Sequence, residues 1–266
     1  FRSLSSSTYE DFPHTGGMSY KEGVDSIPHG GLGVLSAEKL SKAINKNPNL
    51  KLTVKLSGTW YPDALSHNVV GLLRGQKNPE KIITVGGHLD SWDIGEGAHD
   101  DGAGCVHSIG ALRLFQKQNI RPNNTIRAVM FMNEEFGLRG GLKYAEIAVR
   151  DGEQHIAAIE SDASGYVPRG FGFSGSEEQL EKIQDWLKYF DINTISYFKK
   201  GGGGADIGPL HRQTGTPMFG LSIDGQKYFE MHHTAKDVFE LVHARELELG
   251  TASLASLIYL IDQYGL

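Results

Sequence analysis

Strands predicted in this sequence end, one after another, in carboxylate or imidazole side chains. Apolar runs at residues 81–85, 125–132, 156–159 and 218–223 are typical of buried strands, and predicted helices separate them. This alternation predicts an α/β fold of three layers, with helices flanking a mixed, largely parallel central sheet. Because ligands gather at the carboxyl ends of the strands in such sheets, we expect the polar residues at these ends to form one site.

The residues that follow these strands are potential metal ligands or their neighbours. Taken singly, each has an ordinary structural explanation, since an acidic residue at a helix start complements the helix dipole or caps the helix. Taken together, burying so many carboxylates would cost several kcal/mol per ion unless a cation compensated them. The sequence therefore predicts a dinuclear metal site. Its candidate residues are His88, Asp90, Asp100, Asp101, Glu134, Glu135, Asp162, His232, His233 and Asp237.

The composition excludes several classes of function. A net charge of −6, with no basic cluster beyond pairs, does not fit a nucleic-acid groove. The apolar runs are far shorter than the roughly 18 residues that a membrane-spanning helix needs. The single cysteine, Cys105, excludes an intrachain disulfide and a cysteine-rich zinc module, and its helical spacing with Ile109 predicts a place in the core.

The 266 residues are predicted to form one domain. Residues 1–33, rich in Ser, Gly and Pro, lack a sustained period and are predicted to be an irregular surface segment of the domain that residues 34–266 form. We expect a first helix that is capped by Ser36 and ends at residue 46, and further helices at 102–118, 138–149, 177–190 and 246–264. The helix at 102–118 is predicted to turn five apolar side chains toward the core: Val106, Ile109, Leu112, Leu114 and Phe115. Further strands are expected at 50–56, 67–73, 171–173 and 194–198.

Several short motifs occur in a characteristic order. They are PHTG at residues 13–16, GGHLDSWD at 86–93, GAHDDGAG at 97–104, NEE at 133–135, the glycine-rich stretch at 201–210 and HHTAKD at 232–237. The ordered set resembles the M28 family of zinc exopeptidases, most closely the carboxypeptidase Q branch. The resemblance implies the three-layer zinc-peptidase fold, two zinc ions, a peptide substrate, a possible homodimer and a secreted or periplasmic location. It implies neither a nucleic-acid partner nor a membrane span.

The resemblance also implies which residues would bind the two ions. Asp100 would bridge them, His88 and Asp162 would complete one site, and Glu135 and His233 would complete the other. His233 is preferred to its neighbour because the family pattern places a Thr or Ser after the ligand histidine and an acid three residues later. The family also tends to have a cis peptide bond after the bridging acid.

Catalytic roles follow from the same pattern. Glu134 would be the general base that takes a proton from water held between the ions as hydroxide. Asp90 and Asp237 would orient the two ligand histidines and raise their basicity. Relatives often carry a Tyr before the second ligand histidine, and His232 stands there in this sequence. It would donate to the tetrahedral oxyanion, or it would merely pack beside the site.

Four consecutive glycines precede Asp206. They could form a flexible linker, but the resemblance favours a specificity loop in which the backbone of Gly203 and Gly204 approaches a substrate closely. Asp206 would bind a substrate amino group or cap the short helix that follows. His14 has no expected role.

The leading hypothesis is a dizinc exopeptidase that hydrolyses dipeptides or short peptides, with either carboxypeptidase or aminopeptidase specificity. The alternatives are a glutaminyl cyclase-like transferase with one zinc ion and a receptor module without activity on a peptidase scaffold. The branch carries an N-terminal region and an inserted lid domain, and we expect no counterpart of either within these 266 residues. We therefore leave substrate closure and dimer contacts open.

Overall fold

The computed structural model describes residues 1, 3, 9–59, 61–190 and 194–266, which form seven strands in one sheet. Neighbouring strands lie in the order β1-β3-β2-β4-β7-β5-β6. Strands β3, β2, β4 and β7 run parallel, and so do β5 and β6. The edge strand β1 is antiparallel to β3, and β5 is antiparallel to β7. The strands are β1 (Val69–Leu73), β2 (Asn78–His88), β3 (Asn124–Phe131), β4 (Gln154–Glu160), β5 (Pro168–Ser174), β6 (Tyr197–Lys200) and β7 (Met218–Ile223).

Helices cover both faces of this sheet, which confirms the predicted fold class. Successive residues of a strand point to opposite faces, so Ile83 and Val85 belong to a core that α2 and α7 cover. Phe131 and Ala158 point the other way and pack with residues of α3 and α5. The helices are α1 (Val34–Lys46), α2 (Ala103–Lys117), α3 (Arg139–Asp151), α4 (Glu177–Gln184), α5 (Gly208–Thr214), α6 (Tyr228–Met231) and α7 (Ala244–Tyr264).

Two expectations about the first part of the chain are wrong. Residues 50–56 form no strand, because their apolar side chains remain largely exposed and no neighbouring strand pairs with them; Leu56, for example, is 61% exposed. The first helix is not capped by Ser36, since it begins at Val34 with Gly33 as its N-cap. The backbone N–H and the hydroxyl of Ser36 instead donate to the carboxylate of Asp11 at 2.8 and 2.7 Å.

The predicted orientation of α2 is also wrong for two residues. Val106 and Ile109 are each 47% exposed, whereas Cys105 and Phe115 are buried as expected. The helix packs closely through small and polar residues such as Ala111, so the larger side chains at these positions face outward.

Two further elements differ in extent. The helix expected at 177–190 ends at Gln184 and continues as a 3₁₀ turn, Asp185–Tyr189. The strand expected at 194–198 begins only at Tyr197. Residues 2 and 4–8 of the irregular segment, and residues 191–193 before that strand, lie outside the described residues. The described part of residues 1–33 contains no helix or strand.

Candidate metal centre

The carboxylate of Asp100 lies between two imidazoles. Its Oδ1 atom is 3.3 Å from Nε2 of His88, and its Oδ2 atom is 3.2 Å from Nε2 of His233. A second carboxylate approaches the same Nε2 atom of each ring: Oδ1 of Asp162 is 3.3 Å from Nε2 of His88, and Oε2 of Glu135 is 3.1 Å from Nε2 of His233. The five residues expected to bind metal therefore lie together, in two groups that share Asp100.

The fold brings these ligands to one edge of the sheet. His88 is the last residue of β2, Glu135 follows β3, and Asp162 follows β4. The Nδ1–H of His88 donates to the backbone carbonyl of Asp90 at 2.8 Å, which turns Nε2 toward the other ligands. Asp100 lies in the turn Ala98–Gly102 before α2, and the peptide bond that follows it is cis.

The carboxylates of Asp90 and Asp237 chiefly bind backbone N–H groups. Asp90 is within ion-pair distance of His88, and no contact is seen between Asp237 and His233 in the described part of the chain. Asp90 accepts the backbone N–H groups of Glu134 and Glu135 at 3.0 and 3.2 Å, and its Oδ1 atom remains 3.8 Å from the ring of His88.

Asp237 accepts the backbone N–H groups of His99 and Asp100 at 2.6 and 3.0 Å. The ring of His233 uses Nδ1 toward the carbonyl of Thr15 at 3.3 Å instead. Both acids thus hold the backbone of ligand-bearing loops, which residue spacing does not reveal.

Three residues at the site were missed by the sequence analysis. Trp92 donates its indole N–H to Oε2 of Glu135 at 2.6 Å, and its ring lies 5.2 Å from the ring of His233. His14 and Thr15, from the irregular segment, contact His232 and His233, the paired histidines. All three residues belong to the quoted motifs, so position within a motif was the available signal.

The electrostatics of the cluster favour a bound cation. Burial lowers the pKa of His233, but the adjacent Asp100 and Glu135 carboxylates outweigh it and raise the pKa to about 9. For His88 the carboxylates of Asp100 and Asp162 likewise outweigh burial, and its pKa lies well above the usual range. Without a metal ion, protons on the rings thus supply the positive charge that the carboxylates require.

The donor set also fits zinc. Imidazole nitrogen and carboxylate oxygen are both zinc ligands, and one donor atom each of His88, Asp100 and Glu135 lies within 4.8 Å of the others. Among the described residues, no hydrogen bond reaches the buried Oδ2 of Asp100 or Oε1 of Glu135. Buried acceptors of this kind are ordinarily paired, so these atoms are available to a metal ion.

Glu134 lies beside this cluster with a carboxyl group that ionises at higher pH than usual. Burial, followed by the charge of Asp162, raises its pKa to about 7. The preceding residue, Asn133, has a left-handed backbone with φ of 67°, and Asp90 binds the N–H of Glu134. The turn after β3 is therefore well fixed.

The glycine-rich loop borders a cavity of about 220 Å³ next to the metal cluster. Gly203 and Gly204 line it together with Glu160, Asp162, Lys199 and Ser222. A Cβ atom on Gly204 would lie 1.9 Å from the carboxyl group of Glu160, so the close approach requires glycine there.

Asp206 does not line this cavity. It is 0% exposed, and its carboxylate accepts no hydrogen bond from the described residues. Burial raises its pKa to about 8. The expected contact between Asp206 and a substrate amino group is therefore not supported by its position.

The fold and the site define an α/β protein whose ligand-bearing loops meet at the carboxyl edge of its parallel strands. The sequence model of Peptidase family M28 matches residues 68–257, and the chain belongs to that family.

The chain is 33% identical over 249 residues to carboxypeptidase Q of Bos taurus, a match that covers 94% of this chain and 52% of the relative. The structure of a peptidase M28 precursor from Shewanella amazonensis SB2B superposes with a TM-score of 0.85 at 28% identity, covering 99% of this chain and 60% of that one. A zinc aminopeptidase from Bacillus subtilis shares the fold, with a TM-score of 0.56 at 19% identity over 71% of this chain and 49% of that one.

The chain thus spans about half the length of the curated relatives that it matches. None of the helices in the described part of the chain has the length and apolar character that crossing a bilayer requires.

Proposed function

We propose that this chain is the catalytic part of a dizinc exopeptidase that hydrolyses dipeptides or short peptides. The observation that carries the proposal is the position of Asp100, whose two carboxylate oxygens face different histidines at 3.3 and 3.2 Å. A bridging carboxylate is the ordinary way for two neighbouring ions to share one ligand. Family membership supports a peptide substrate.

Five residues would hold the two ions. His88 and Asp162 would bind one, Glu135 and His233 would bind the other, and Asp100 would bind both. When bound, zinc supplies Lewis acidity, which polarises a carbonyl group and makes water a stronger acid near neutral pH. Asp90 and Asp237 hold the ligand-bearing loops through their backbone N–H groups.

Glu134 would move the protons of the reaction. Its carboxylate lies next to the ligand Glu135 and is not needed to bind metal, so it can take a proton from the attacking water and pass it to the leaving amine. His232 also contacts the cluster, with Nε2 3.4 Å from Oδ2 of Asp100. It would donate a hydrogen bond to the tetrahedral oxyanion.

The alternatives predict different metal requirements. A glutaminyl cyclase-like transferase would need one zinc ion, and a receptor module would need none. The complete set of five ligands favours the two-zinc hydrolase. The glycine-loop cavity, with Gly203 and Gly204 at its wall, would receive part of the peptide. A homodimer and a secreted or periplasmic location are proposed from the resemblance to the carboxypeptidase Q branch alone.

Peptide hydrolysis by two matched variants tests this proposal. We expect Glu134→Gln to retain both zinc ions and to lose at least about a hundredfold in kcat, the lower end for removal of a general base. Glu135→Gln should lose zinc affinity instead, and a chelator should abolish the activity of the unmodified protein reversibly. Near-normal turnover of Glu134→Gln, or activity that a chelator does not touch, would contradict the proposal.

A further inference from the structure

The irregular N-terminal segment is bonded directly to the loop of the paired histidines. The backbone N–H and the hydroxyl of Thr15 both donate to the carbonyl of His233 at 2.9 Å. In return, Nδ1–H of His233 points to the carbonyl of Thr15 at 3.3 Å. His233 has a left-handed backbone with φ of 53°, an unfavourable conformation for a residue with a side chain. Thr15 therefore helps to hold that conformation.

His14 contacts the other histidine of the pair. Its Nε2 atom lies 2.9 Å from Nδ1 of His232, and the two rings are stacked with centroids 5.1 Å apart. Tyr228 stacks against the ring of His232 at 4.5 Å, and Phe229 packs edge-on against both imidazoles. Aromatic packing and the side-chain contact with His14 thus hold the His232 ring in place.

The segment is anchored on both sides of His14. Glu10 forms an ion pair with Lys236, and the ammonium group of Lys236 lies 5.6 Å from the centroid of the Phe12 ring. Together with the bonds of Thr15, these contacts place His14 against the site through residues close to it in sequence. The contact does not depend on an isolated side chain reaching across the surface.

We propose that His14 is a positioning residue that selects the tautomer of His232. Nε2 of His14 and Nδ1 of His232 lie 2.9 Å apart, and we assign the donated proton to Nε2 of His14. The proton of His232 is then carried by its Nε2, on the side that faces Oδ2 of Asp100 at 3.4 Å. A nitrogen that carries a proton cannot bind a metal ion. His14 thereby makes His232 a hydrogen-bond donor and leaves metal binding to His233.

The arrangement around Asp100 favours this tautomer over the opposite one. Nε2 of His232 lies 3.4 Å from Oδ2 of Asp100, so a proton on Nε2 faces a carboxylate oxygen that attracts it. In the opposite tautomer, the lone pair of Nε2 would face that carboxylate oxygen and repel it. His233 already lies close to both Asp100 and Glu135 and fits the ligand role.

The tautomer can be measured without an activity assay. Long-range ¹H–¹⁵N NMR of the zinc-loaded protein distinguishes a histidine protonated at Nε2 from one protonated at Nδ1, and His232→Gln identifies the relevant signals. We expect His232 to carry its proton on Nε2 in the unmodified protein and to become a mixture of tautomers in His14→Leu. A proton on Nδ1 of His232, or a lost equivalent of zinc in His14→Leu, would overturn the proposal.

The expected effect of His14 variants on kcat rests on the proposed peptidase function. Measuring kcat together with the tautomer tests the peptidase function and the role of His14 separately. We expect His14→Leu to lower kcat about tenfold, as for one lost hydrogen bond, with KM unchanged. His14→Gln, whose amide can donate, should restore part of kcat, and the double variant with His232→Gln should be no slower than His232→Gln alone. His29→Leu, which changes an exposed histidine of the same segment, is the matched control.

An inactive but zinc-loaded protein with the expected tautomer would contradict the peptidase function alone. An active protein whose kcat is unaffected by His14→Leu would contradict the role of His14 alone.

Discussion

Buried carboxylates around the site accept hydrogen bonds from backbone N–H groups, and these bonds fix the loops that carry the candidate ligands. Asp101 illustrates the arrangement: its two oxygens accept the N–H groups of His88 and Gly104, each at 3.0 Å. Asp237 does the same for the turn that contains Asp100. Each of these acids therefore fixes two points of the backbone beside a candidate ligand.

A buried histidine next to the site makes stability depend on pH. His107 is 0% exposed, its Nδ1 atom lies 2.9 Å from the hydroxyl of Ser161, and burial lowers its pKa from 6.5 to about 4. Between these two values the unfolded chain binds a proton that the folded chain does not. The free energy of unfolding should therefore fall by about 3 kcal/mol from this residue as pH falls from 6.5 to 4.

Urea unfolding at several pH values in the presence of a chelator measures this contribution. We expect His107→Gln to have a shallower dependence on pH over that range, although its stability at neutral pH is also lower. His29→Gln, at an exposed position, should keep the slope of the unmodified protein. An unchanged slope in His107→Gln would mean that His107 is not the group responsible.

At this scale the sequence predicts which residues gather at the site better than it predicts the hydrogen-bond partners of those residues. His88, Asp100, Glu135, Asp162 and His233 stand at strand or helix ends, and the structure brings them together. The bond between His14 and His232 joins residues 218 positions apart, and no periodicity or local spacing encodes such a contact.

The start of α2 packs closely against the backbone just after β4, and this contact requires a glycine at position 104. A Cβ atom on Gly104 would lie 1.7 Å from the backbone carbonyl oxygen of Ser161 and 2.4 Å from Oδ1 of Asp101. Ala is ordinarily preferred to Gly in a helix by about 1 kcal/mol. Here we expect the opposite sign, with Gly104→Ala lowering the free energy of unfolding by about 3 kcal/mol because backbone must shift.

Denaturant unfolding of Gly104→Ala beside a second glycine variant checks this expectation. Gly71 lies in the edge strand β1, and a Cβ atom there would meet no atom within 4 Å. Gly71→Ala should therefore change stability by no more than about 1 kcal/mol. If both variants were equally stable, the close approach of α2 to β4 would be incorrect.

The elements that the sequence mispredicts are those decided by neighbours. Residues 50–56 have the alternation of a strand, but a strand needs a partner, and the sheet ends instead at β1 on that side. Val106 and Ile109 are apolar, yet the face of α2 that enters the core consists of smaller residues that allow close packing. Local pattern identifies the type of an element better than the surface that it buries.

At the scale of the whole molecule, the site lies at the edge of the sheet where the parallel strands β3, β2, β4 and β7 have their carboxyl ends. The apolar runs and the polar residues after them were sufficient to predict this edge, since the period and the strand ends are both local features. The strand order, with antiparallel β1 and the β5–β6 pair on the outside, was not predicted. It depends on long crossover connections that no short pattern specifies.

The central claim is that two metal ions share Asp100, and anomalous X-ray scattering at the zinc edge tests it most directly. In crystals of the zinc-saturated protein we predict two peaks, one beside His88 and Asp162 and the other beside His233 and Glu135, with the carboxylate of Asp100 between them. Asp100→Ala should lose both peaks under the same conditions. A single peak in the saturated protein, or two peaks that do not share Asp100, would contradict the account.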